Sequence, residues 1–209
     1  VFNKGTYTGY YTNPQIDFSL SPNDVLSLSG EFNYGPGTNS SIGNGTRSNS
    51  NKMVTQLVKD SSDFNRSGTW MNLSLLYRHQ FADDHKISID LNHSNWDNTR
   101  NEYSSSVLLT PGSELDSVNS LQQVTLGKES NPAYNLKLDY SYAPIKALTI
   151  ELGHKIEAET HPSDVTTKVY DFYTNTYHVD STQTLNATPH NSLYAFYSNF
   201  GYSFTDDIS

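Results

Sequence analysis

Seven histidines are the side chains best able to do chemistry here, because a neutral imidazole can hold a metal or carry a proton near pH 7. His79, His85 and His93 lie closest together. They straddle two alternating runs and a charged corner, with none of the helical or loop spacings typical of zinc ligands. His79 reads more simply as an interfacial residue beside a turn and His85 as a turn residue, so no metal and no cofactor is expected. The segment DNTRNE, residues 97–102, has the acidic and amide content of a calcium loop. It lacks the glycine of the EF-hand turn and a bidentate glutamate at the proper distance, so a solvated loop is expected. Serine is abundant, but no G-x-S-x-G or comparable nucleophile signal occurs, and no enzymatic activity is expected. Cysteine is absent, which excludes disulfides, thiolate metal sites and a cysteine nucleophile. The N-x-S/T sequons at Asn39, Asn44, Asn65 and Asn72 follow from composition.

Aromatic side chains in polar surroundings are what remains. Trp96, Tyr103, Tyr170, Tyr173 and Tyr177 could stack on a sugar or chelate ring, or could equally anchor loops to one another. No ligand-binding residue follows from the sequence itself. A net charge of −9, with the 13 basic residues unclustered, argues against nucleic acid as a partner.

The elements that must position these residues are strands. In GTWMNLSLLYRHQF, Met71, Leu73, Leu75, Tyr77 and Phe81 share one parity; after the corner ADDH, Ile87, Ile89 and Leu91 alternate again. Comparable corners occur in SLSPNDVLSL, DYSYAPIKALTIEL and FGYSFTDDIS. With Pro22, Asp83, Pro144 and Asp206 as markers, they recur at intervals of 61, 61 and 62 residues. Each flanking run has one apolar face, such as Leu136, Leu138 and Tyr140, and one hydrophilic face, such as Asn135, Lys137 and Asp139. Leu76 is the main exception. Long polar segments rich in Asn, Ser, Thr and Gly separate the hairpins, at 34–52, 95–131 and 158–190. Within the last of these, KVYDFYTNTYHVD alternates weakly, which suggests a hairpin extending its strands.

A sheet with one apolar and one polar face either packs on a second sheet or faces lipid in a closed barrel. Sandwich strands run to about 5 or 6 residues, whereas alternating runs of about 9 to 13 suit a tilted bilayer crossing. No run of about 18 apolar residues is present, which excludes a transmembrane helix and leaves a barrel open. Aromatic residues cluster at strand ends: Phe32 and Tyr34 towards a long connection, Phe81, Tyr140, Tyr142, Tyr202 and Phe204 towards the short turns. The expected fold is all-β, an antiparallel up-and-down meander of long strands. It would be a segment of a transmembrane β-barrel with short periplasmic turns and long extracellular loops. Residues 1–209 are read as part of one barrel domain, about seven strands, or three and a half hairpins. An even-stranded barrel cannot close from these; a 22-stranded one would need about 670 residues at this period. The alternative from another class is a soluble β-rich surface binding module, carbohydrate-binding or adhesin-like.

NPAYNLKLDYSYAPIKALTIELGHKIEAET (131–160), NSLYAFYSNFGYSF (191–204) and SPNDVLSLSGEFNYG (21–35) carry a family likeness. In texture and spacing they resemble the barrel domain of TonB-dependent receptors, particularly the Bacteroidota type. That resemblance implies a Gram-negative outer-membrane transporter, its barrel stoppered by an N-terminal plug on which TonB pulls to admit a scarce nutrient. Siderophores, cobalamin and glycans are typical substrates. The implied partners are outer-membrane lipid and lipopolysaccharide, TonB acting through the plug, and a small-molecule or glycan substrate. No ligand motif of the family is matched.

Overall fold

Alternating runs joined by polar corners fold into hairpins because each corner reverses the chain while keeping the apolar side chains on one face. The structure, a computed structural model, describes residues 2–204. Its strands are β1 (Phe2–Tyr7), β2 (Tyr10–Thr12), β3 (Gln15–Ser21), β4 (Asp24–Ser48), β5 (Val54–Ala82), β6 (His85–Leu109) and β7 (Leu121–Ser130). They continue as β8 (Ala133–Ile145), β9 (Leu148–Thr160), β10 (Ser163–Asp171), β11 (Thr176–Val179), β12 (Leu185–Ala187) and β13 (His190–Tyr202). All pair antiparallel in one sheet. The chain passes are β1–β3, β4, β5, β6, β7–β8, β9–β10 and β11–β13, which gives the seven expected strands. Among the described residues the sheet stays open, with β1–β3 at one edge and β11–β13 at the other.

Tight turns lie at 22–23, 83–84 and 146–147, at or beside three of the four markers; Asp206 lies outside the described residues. The long connections on the other side are present, but most of their length is strand. Segment 34–52 completes β4 and turns at 49–53; segment 95–131 is the outer half of β6, a loop and β7. KVYDFYTNTYHVD forms the hairpin of β10 and β11, with Tyr170 opposite Tyr177. DNTRNE is no loop: all six residues lie in β6, bonded to β5 on one side and β7 on the other. Satisfying backbone groups on both sides outweighs the polarity that argued for a loop.

Proline punctuates the strands. Pro14, Pro132, Pro162 and Pro189 occupy the breaks before β3, β8, β10 and β13, where a residue without an amide hydrogen interrupts a ladder. Their carbonyls accept from the N–H groups of Gly30, Thr160, Ser130 and His161 at 2.9–3.0 Å, so the sheet is nicked and not cut. In register the four fall in one band, near residues 93–97 of β6. At this band β6 changes partner, from β8 on the turn side to β7 beyond.

On the turn side of the band, one face is greasy and uncovered. The register lines up Ile16, Leu28, Leu75, Leu91, Leu136, Ile156 and Tyr194 across all seven passes. Phe18, Leu28, Leu73, Leu91, Tyr134, Phe196 and Phe200 are each between 46% and 81% exposed. Among the described residues only Leu108 and Val165 are buried hydrophobics, and both belong to the outer half. Among the described residues no second sheet covers the apolar face as it would in a soluble sandwich.

Candidate functional site

The opposite face is polar on the turn side, with hydrogen bonds running from strand to strand. Ser74 donates to Asp90 at 3.2 Å, Asn92 to Asn72 at 2.6 Å and Asn199 to Glu151 at 3.1 Å. Lys137 and Lys155 stand directly opposite in the ladder, a like-charge pairing that destabilises unless neutralised. Each is answered from its own strand: Lys137 reaches Asp139 at 2.8 Å, and Lys155 pairs with Glu157. Tyr197 lies across Gly153, where any Cβ would collide with its ring, and its hydroxyl donates to Asp139.

Beyond the band, the same face changes character. Trp70 stands opposite Trp96, and four residues further out Arg66 stands opposite Arg100. Between these rows lie Gly68 and Asn98, with Gly35 beside Gly68 on β4. Tyr7 folds over Gly35, which is buried beneath it and has no room for a side chain. Tyr7, Asn33, Arg66, Trp70, Trp96 and Asn98 thereby line a shallow recess of about 210 Å³ with a glycine floor. Trp70 and Trp96 are the chain's only tryptophans. Arg100 leans the other way, its Nε only 2.8 Å from where a Cβ on Gly127 would sit; that nitrogen is buried without a hydrogen-bond partner.

Two short-turn histidines and several aromatics form a ring cluster. Phe81 packs on His79 at 4.2 Å and on His85 at 4.4 Å between centroids, and His85 meets Tyr140 and Tyr142 at 5.2 and 5.1 Å. His93 is eight residues along β6, about 27 Å away at strand rise, stacked on Tyr134 at 4.5 Å. The three histidines are therefore not brought to one point. Among the described residues no three His, Cys, Asp or Glu side chains group as metal ligands.

A family model described as "Outer membrane protein beta-barrel family" matches residues 79–209. The chain belongs to that family. No curated protein matches it. Membership assigns the two faces: in an outer-membrane barrel the uncovered apolar face meets lipid and the polar face lines the interior. The rings at Phe81, Tyr140, Tyr142 and Tyr202 then sit at one bilayer boundary, and Phe32, Tyr34 and Tyr134 at the other, as interfacial girdles do. Tyr10 stacks on Tyr34 at 6.3 Å and extends the second girdle.

Of the aromatics singled out by sequence, Trp96 lies in the interior-facing recess. Tyr170 and Tyr177 pair at 5.1 Å on the β10–β11 hairpin, and Tyr173 projects 73% exposed from its tip. Tyr103 is on β6 with the parity of the outer surface. Sequence reasoning missed Tyr7, Arg66, Trp70 and Arg100. The missing signal was register: counting outward equally from the ADDH turn places Trp70 on Trp96 and Arg66 on Arg100.

At the outer tips, carboxylates hold the loops. Asp116 is held below the usual carboxylate range chiefly by the Asn119 side chain, with Gln56 donating to it at 2.7 Å. Asp171 is lowered chiefly by the Tyr173 N–H, and Asp180 by the Thr182 hydroxyl.

Proposed function

We propose that this chain is part of the barrel of a TonB-dependent outer-membrane receptor that takes up a scarce nutrient. The supporting observation is the contrast along the interior face. Within the bilayer span its opposed lysines, Lys137 and Lys155, are each closed by a carboxylate, and above it lies an aromatic-lined recess whose Arg66 has no carboxylate partner, where a solute arriving from outside would be met. On this reading the wall itself does no chemistry, its surroundings are lipid and lipopolysaccharide, and entry is driven through a plug coupled to TonB. The hairpin texture of residues 131–160 and 191–204 supports the same reading.

Photo-crosslinking tests it: native protein in outer membranes, mixed with the periplasmic domain of TonB, should give a specific adduct. A native protein that never crosslinks, and whose intact mass leaves no room for a plug, would sink the receptor reading and leave a plug-free barrel.

A further inference from the structure

We infer that the recess formed by Tyr7, Arg66, Trp70 and Trp96 binds an acidic sugar. The inference rests on the barrel reading only in that the polar face must be the interior one.

The first argument is charge. The interior face carries two directly opposed like-charge pairs, and they are treated differently. Lys137 and Lys155 each have a carboxylate two residues along their own strand and bond to it. Arg66 and Arg100 have no carboxylate within 4 Å among the described residues, although Glu102 is two residues from Arg100. In a chain of net charge −9, two of the four arginines are spent on an unneutralised pair. Arg100 leans away over Gly127, so Arg66 is the guanidinium of the pair that lines the recess. Arginine is the residue suited to gripping a carboxylate through two parallel N–H groups.

Shape is the second argument. The tryptophan and arginine rows are four residues apart on both strands, about 13 Å at strand rise. Gly68 keeps the floor between them open, and Gly35 beside it gives the Tyr7 ring its seat. Trp96 is 42% exposed and Tyr7 67% exposed, so ring faces are presented to the recess and not packed away. A ring on the aromatic wall with its anion towards Arg66 fits this arrangement. Asn33 and Asn98, each offering amide donors and an acceptor, suit hydroxyl groups better than the bare edge of an aromatic ligand.

The test uses native protein solubilised from outer membranes, with tryptophan fluorescence and calorimetry as readouts. The probes are a glucuronate oligosaccharide, a glucose oligosaccharide of equal length and inorganic sulfate. The acidic oligosaccharide should bind at least about tenfold more tightly than the neutral one, as a charge-assisted hydrogen bond provides. Arg66→Gln should abolish that preference and Arg66→Lys should restore part of it, which separates lost charge from lost folding. Trp96→Ala should weaken both sugars by about tenfold. Equal affinity for the two sugars, sulfate competing as well as the acidic oligosaccharide, or an unchanged preference in Arg66→Gln would each overturn the inference. Binding in detergent needs no TonB, so a negative result here and a negative crosslinking result are separate failures.

Discussion

Along β5, the residues between the proline band and the ADDH turn and those beyond the band share one unbroken ladder, yet their surfaces differ. Below the band Leu73, Leu75 and Tyr77 face outward; beyond it, at the same parity, stand Ser67, Asn65, Asp63 and Lys59. Backbone pairing is the same in both regions, so it cannot be what selects side chains. The surrounding medium does: lipid on the outside requires apolar residues on the turn side, and water on both faces of the outer blade requires none. The opposed cations of the inner face differ too, Lys137 and Lys155 being closed by Asp139 and Glu157 while Arg66 and Arg100 have no carboxylate partner among the described residues.

The sharpest way to break this comparison is to put one substitution in both regions. Leu75→Arg should destabilise the inserted protein by about 2–4 kcal/mol, as for arginine at a bilayer midplane, whereas Ser67→Arg on the same strand and face should cost almost nothing. Urea-induced unfolding in lipid vesicles measures both, and equal effects would mean that the band is no boundary.

A smaller effect is expected from the two glycines that lie under tyrosine rings. Gly153→Ala on the turn side and Gly35→Ala in the outer blade each force a tyrosine off the backbone, at about 1–3 kcal/mol of overpacking. Only the first also removes a hydroxyl from Asp139, so its melting temperature should fall further; only the second should alter tryptophan emission, because Tyr7 shares the recess with Trp70 and Trp96.

Acid should act least, and on one region alone. Asp116, Asp171 and Asp180 have folded-state pKa values below their unfolded ones, so their contribution is complete above the unfolded value of about 4 and is lost as pH falls through the folded value. These groups are solvent-exposed, so the loss is modest. Hydrogen exchange at 110–120 and 172–184 should quicken below about pH 4 while β8 and β9 stay protected. Uniform quickening would refute a separate outer region.

Much of the wall was legible because lipid imposes a period of two on one face for the length of each crossing. Leu136, Leu138 and Tyr140, or Ile87, Ile89 and Leu91, read as strand without further help. The outer blade was less legible. With water on both faces nothing forces alternation, so PGTNSSIGNGTRS looks like loop although it is paired residue for residue with β5. DNTRNE was misread for the same reason. The recess failed at a different step: Trp70 was seen as part of a run and Trp96 as part of a loop. Only a ladder continued past the membrane makes them neighbours.

The four prolines have a mechanical consequence. A sheet resists shear through its amide hydrogen bonds, and here the donors are thinned at one level in the passes that flank β4, β5 and β6. Load applied to the flanking passes meets that line of breaks first. Because β4, β5 and β6 run unbroken through the band, the centre of the blade stays in line with the wall, and bending is confined to the flanking passes.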